Sequence, residues 1–177
     1  MKKLFTLLLC AAPTLVTPMV LEDFQDGADG WRYFSDQVMG GVSEGQAALG
    51  RDGDIVFASL TGDVSTANNG GFVQIRRDLP GGLDADSTGI TLNVRGNGET
   101  YYVHLRTVNS RRPWQYFATT FPTTGAWTDV TLNWADFTPS GRGFGGTLTP
   151  QEVRSIGIVA YGRDHAADVA IAEIKVK

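Results

Sequence analysis

The residues of this chain that could do chemistry are two histidines, a single cysteine and a scatter of carboxylates. His104 and His165 lie far apart and lack the H-x-x-x-H spacing on a helix that a zinc hydrolase requires. Cys10 sits inside an N-terminal apolar run. If that run is removed as a leader, no thiol is left for a nucleophile, a disulfide or a metal thiolate. No G-x-S-x-G elbow occurs. Gly141 to Gly146 spells G-x-G-x-x-G, but Pro139-Ser140 precede it and no helix opens on it. It reads as a Gly-rich loop and not as a nucleotide cradle. Asp23, Asp26 and Asp29 offer hard oxygens without EF-hand spacing and read as solvated turn residues. No catalytic residue, metal or cofactor is expected, and the chain reads as a non-enzyme.

Recognition is the reading left to weigh. In Tyr101–Arg106, period-2 alternation puts Tyr102, His104 and Arg106 on one face and Tyr101, Val103 and Leu105 on the other. The polar, aromatic face is either a solvated outer surface or a shallow binding surface. Arginine offers a hydrogen-bonding fork and tyrosine a large amphipathic ring, a combination that suits a glycan or a protein. With strand residues on either side, the candidate binding set is Arg76, Tyr102, His104, Arg106 and Tyr116. The four tryptophans, Trp31, Trp114, Trp127 and Trp134, could stack on sugars or fill a core, and core is the better reading for at least two.

The elements that must position these residues are strands. Val20–Phe24, Trp31–Phe34, Asp54–Leu60, Gly71–Arg76, Ile90–Arg95, Tyr101–Arg106, Trp114–Phe121, Trp127–Trp134, Ser155–Val159 and Val169–Val176 all read as strands. Gly96-Asn97-Gly98 predicts a hairpin tip between two of them. Thr149–Arg154 predicts one helical turn, with Thr149 as N-cap and Glu152 three residues on. The chain has 22 glycines and no long helical pattern, so the expected architecture is all-β, an antiparallel β-sandwich. The net charge of −4, with no basic stripe, argues against nucleic acid as a partner. Lys2-Lys3 followed by the apolar run through Ala12 predicts a signal peptide or anchor over residues 1–19. One domain would then span 20–177, exported to the periplasm or secreted.

Between the first strands lies Ser35-Asp36-Gln37-Val38-Met39-Gly40-Gly41-Val42-Ser43. Gly40-Gly41 suit a tight turn with positive φ, and Asp36 and Ser43 suit capping of its N–H groups. Val38 or Met39 is expected to point into the core. The residues Trp31, Asp36, Met39, Gly40, Gly41 and Ser43 read as a structural corner.

This stretch resembles the signature of the complex I intermediate-associated protein family. Further blocks match in order: Asn69-Gly70-Gly71-Phe72, Arg95-Gly96-Asn97-Gly98 with Tyr101, Trp127 with Val130, Phe137 to Gly143, and Ser155-Ile156-Gly157-Ile158. The resemblance implies a galactose-binding-domain-like jelly roll and a non-catalytic binding or assembly role, as in the chaperones that help build NADH:ubiquinone oxidoreductase. It implies a protein partner; a glycan is the alternative that the jelly roll suggests. Two features depart from the family: Asn97 stands where Asp is common, and the leader looks secretory.

Overall fold

The computed structural model of the chain describes residues 18–177. The leader expected over residues 1–19 therefore lies outside the described residues, except for its last two positions. Met19 already opens a strand.

Two six-stranded antiparallel sheets make a sandwich. In chain-order numbering, the first holds β1 (Met19–Glu22), β3 (Glu44–Asp52), β4 (Ile55–Val64), β6 (Gly89–Gly96), β9 (Thr128–Asn133) and β12 (His165–Val176). Its order is β3-β4-β12-β6-β9, with β1 beside the C-terminal half of β12. The second holds β2 (Trp31–Ser35), β5 (Phe72–Asp78), β7 (Thr100–Thr107), β8 (Tyr116–Pro122), β10 (Thr138–Ser140) and β11 (Val153–Tyr161). Its order is β10-β8-β7-β11-β5-β2.

Alternation builds the core. Leu60, Ile90, Leu92, Val169, Ile171 and Ile174 face inward from the first sheet, and Val73, Tyr101, Val103, Leu105, Phe121 and Ile158 meet them from the second. All are essentially fully buried. Trp31 and Trp134 pack against this core, while Trp114 is 55% exposed and Trp127 lies on the outside under Arg95.

Two local expectations are corrected. Gly96-Asn97-Gly98 is not a hairpin tip: β6 pairs with β12 and β9, and β7 pairs with β11 and β8. The turn carries the chain from one sheet to the other. Its amides bond to other segments, Gly96 N to Thr124 O at 2.7 Å and Asn97 N to Asp168 O at 3.1 Å. Two alternating strands about a turn look alike in sequence whether they pair or cross. The helical turn shrinks to 3₁₀ at Pro150–Glu152, Thr149 makes no side-chain cap, and Val153 already belongs to β11.

The departure at Asn97 has a local use. Its amide donates to Ala166 O at 2.9 Å and accepts from Tyr101 Oη at 2.8 Å, and a carboxylate could only accept. The Tyr101 hydroxyl in turn accepts from Asp168 N at 2.8 Å, so one buried ring ties β7 to the first sheet. Tyr101→Phe would leave that amide without its partner. We expect a cost of ~1–2 kcal/mol in denaturant unfolding, with the midpoint moving and the slope unchanged.

Candidate functional site

The corner at residues 35–43 is built around a carboxylate. Asp36 is fully buried. Its Oδ1 accepts from Ser43 N at 2.9 Å; its Oδ2 accepts from Ser43 Oγ and Gly71 N, both at 2.5 Å, and from Phe72 N at 3.2 Å. Burial alone would raise its pKa, but the Gly71, Ser43 and Phe72 donors outweigh burial and hold the carboxyl below its ordinary value. Two glycine pairs make room for it. Gly40 closes the 3₁₀ turn Asp36–Met39 at φ +88°. A Cβ on Gly41 would stand 2.3 Å from Asp36 Cγ, and one on Gly70 would stand 2.4 Å from Asp36 Oδ2. The M-G-G and N-G-G blocks, 30 residues apart in sequence, thus wrap one carboxylate.

This lock turns the intervening residues outward. Val38 is 73% exposed and Met39 63%, so neither enters the core, contrary to expectation. The turn closes on its own backbone, Gly40 N to Gln37 O and Gly41 N to Asp36 O, with the Asp36 side chain filling its inner side. Val38 and Met39 instead stand on the rim of a groove of about 560 Å³.

The groove lies on the outer face of the second sheet. Its floor is Gly157 and Val159 of β11. Phe72, Gln74 and Arg76 of β5 and Phe34 of β2 form one side, with the Arg76 guanidinium 4.6 Å from the Phe34 ring centre. His104 and Arg106 of β7, Tyr116 of β8 and Trp114 of the preceding loop form the other. Tyr161 closes one end, 41% exposed.

Of the five residues expected to bind, four meet here: Arg76, His104, Arg106 and Tyr116. Tyr102 does not line the groove. Its ring stands edge-on to Tyr161 at 5.6 Å and 6.0 Å from His104, so it braces the wall from behind. Arg106 is partly structural. Its guanidinium donates to the carbonyls of Ser110, Arg112 and Pro113 at 3.0–3.3 Å and so holds the loop that carries Trp114. Burial, then the Arg76 charge, pulls its pKa below the ordinary value. Phe34, Trp114 and Tyr161 complete the groove and were not in the expected set. Tyr161 extends the alternation of β11, and Trp114 comes from a loop where periodicity is silent.

His104 stacks flat on Tyr116, centroids 3.9 Å apart. Burial pushes its pKa down to about 3, so the ring is neutral at neutral pH. Among the described residues no group of three metal-ligating side chains gathers, and the lining holds no nucleophile with a base beside it.

Residues 22–171 match the family model of Complex I intermediate-associated protein 30 (CIA30). The chain belongs to that family. No curated protein sequence matches it. Among solved structures it is similar to the family 11 carbohydrate-binding module from Clostridium thermocellum in complex with a β-1,3-1,4-mixed-linked tetrasaccharide. The identity is 16% and the TM-score 0.74, covering 92% of this chain and 96% of the other. It is also similar to a CBM4 structure, at 18% identity and TM-score 0.52 over 91% of this chain and 94% of the other. An exo-β-agarase aligns at 9% identity and TM-score 0.60, over 90% of this chain and 24% of the enzyme. These likenesses show the fold: a galactose-binding-like jelly-roll sandwich.

Two measurements check the site. Asp36→Ala strands the Ser43, Gly71 and Phe72 amides, and Gly41→Val drives a side chain into the carboxylate. Each is expected to cost ~3–5 kcal/mol by chemical unfolding. Ser43→Ala removes a buried hydroxyl that serves both Asp36 and Ser65 N, and should cost ~1–2 kcal/mol.

His104 sets a pH dependence. Its folded pKa lies below the ordinary 6.5, so between pH 6.5 and about 3 the unfolded chain binds the extra proton. The His104 contribution is then fully present above pH 6.5 and is lost as pH falls toward 3. Thermal midpoints measured across that window should fall less steeply in His104→Gln than in the wild type.

Proposed function

We propose that this protein is a non-catalytic binding module that holds an extended sugar chain in the groove of its second sheet. The observation that carries this reading is the make-up of the groove. Flat rings at Trp114 and Tyr161 are exposed, and planar hydrogen-bonding groups at Gln74, Arg76 and His104 lie between them. A pyranose presents apolar C–H faces to rings and hydroxyls to such groups. The site lies on a sheet face and not at an edge, so an extended peptide lying there would gain no ladder of main-chain hydrogen bonds. The likeness to a carbohydrate-binding module holding a tetrasaccharide supports the same reading.

A second reading is an assembly role through a protein partner, as in complex I assembly. Family membership supports it, and so does the exposed Val38-Met39 pair on the rim, an apolar knob of the kind that anchors protein contacts. The leader-like residues 1–19 support action outside the cytoplasm in either case.

Affinity electrophoresis through gels containing soluble polysaccharides tests the first reading. The wild type should be retarded by at least one linear polysaccharide. Trp114→Ala combined with Tyr161→Ala should weaken that retention about tenfold or more, with a stability change of ~1 kcal/mol or less. Unchanged retention would move the binding surface elsewhere. Absence of retention on every polysaccharide, together with cross-linking of a partner subunit at Met39, would put the assembly reading first.

A further inference from the structure

The groove is basic on a chain whose net charge is negative. The chain carries a net charge of −4. The groove lining contains Arg76 and Arg106 and no aspartate or glutamate. The carboxylate that follows Arg76 on the same face of β5, Asp78, is paired with Arg32 of β2. Among the described residues Arg76 has no ion-pair partner, and its Nε is buried with no hydrogen-bond partner. His104 Nε2 is buried and likewise unpartnered. A buried polar nitrogen without a partner is costly, so two of them lining one groove, one an obligate donor on Arg76, point to a partner supplied by a ligand.

Strand register fixes where that acceptor would sit. Gly157 of β11 lies opposite Arg76 of β5 on one side and opposite His104 of β7 on the other. The two side chains therefore stand two strand spacings apart, about 10 Å between Cα atoms, and the β11 position between them carries no side chain of its own. The backbone does not demand glycine there. A Cβ at Gly157 would meet only the Gln74 side-chain oxygen at 3.3 Å and two carbonyls at 3.5 and 3.8 Å, and its φ is not in the left-handed region. By contrast, Gly41 and Gly70 abut the Asp36 carboxylate. What glycine leaves at 157 is a slot on the groove floor, flanked by Arg76 and His104 and bordered by the Gln74 side chain.

We propose that the ligand is a carboxylated sugar chain, with one carboxylate seated over Gly157 between Arg76 and His104 and a pyranose ring on the flanking aromatic faces. This rests on the sugar-chain reading above and names its chemical class. A carboxylate is planar and acceptor-only, and it matches the fork of an arginine whose charge no side chain neutralises. A neutral imidazole can donate its Nε2–H to the same group without repelling the adjacent guanidinium. Arg106, tied to the loop carbonyls, adds long-range positive potential and leaves Arg76 as the direct contact.

Isothermal titration of the full chain tests the proposal with three probes: a short linear oligouronate, its carboxyl-reduced neutral counterpart and an acidic peptide of equal charge. The oligouronate should bind, the neutral oligomer should bind about tenfold or more weakly, and the difference should shrink at high salt. Arg76→Gln should weaken the charged oligomer about tenfold and the neutral one much less, so that the gap between the two narrows. Gly157→Val should abolish binding of the oligouronate. Gly157→Ala, a smaller change, provides the intermediate case if the valine variant fails to give a cooperative melt. Equal affinity for the charged and reduced oligomers, or an Arg76→Gln variant that binds the oligouronate normally, would overturn the carboxylate subsite and leave the sugar-chain reading standing. Binding of the acidic peptide alone would overturn both, and binding of no probe would overturn the carboxylate subsite.

Discussion

One buried carboxylate organises this molecule. Asp36 has no cation beside it among its bonded partners; backbone amides and a hydroxyl solvate it instead. Such a group is stable only when its acceptor sites are filled by well-placed donors, because an unsolvated charge in the interior costs an amount comparable to the whole stability of a domain. The donors come from three places: Ser43 just before β3, Gly71 just before β5 and Phe72, the first residue of β5. Satisfying the charge therefore fixes how β2, β3 and β5 meet. It also dictates the glycines at 41 and 70, where any side chain would displace the carboxylate.

The same constraint shapes the groove. Residues 36–43 must turn back on Asp36, so Val38 and Met39 are pushed to the surface on the groove rim, and Asn69 and Gly70 reach the same lining from the other glycine block. On the opposite side Arg106 plays the matching part, since its bonds to the carbonyls of residues 110–113 hold the Trp114 loop. Two rims are thus fastened by buried or half-buried charged groups, while the floor is bare at Gly157. A rigid sheet face of this kind needs little ordering on binding, which favours affinity at modest contact area.

Much of this was legible in the sequence where one physical rule acts alone. Alternation in Ile90–Arg95 and Tyr101–Arg106 gave both strands and the facing of every side chain in the second, because each strand buries one face only. The corner motif was legible as a corner. Its depth was not, because an aspartate that caps a surface turn and one buried under four donors have the same local pattern. The alternation also hid which strands pair, as the crossing at Gly96–Gly98 shows. Edge strand β3 left a weak trace: it is largely exposed, and its Gly45 and Gly50 sit against Thr61 and Phe57 where a side chain would clash. Trp114 and Tyr102 illustrate the limit for the site. Whether an aromatic side chain lines a groove or braces it depends on neighbours from other strands, and period 2 specifies only the face.

The claim on which the account depends is that the outer face of the second sheet is the binding surface. Backbone-amide and indole NMR shifts, followed while a short linear oligouronate is titrated into the full chain, test it most directly. The account predicts that the shifts gather at Gln74, Arg76, His104 and Gly157 and at the Trp114 indole Nε1, and leave the outer face of the first sheet around Thr91, Asn93 and Asp129 silent. Shifts that gather on that opposite face, or along the edge strands β3 and β10, would contradict it.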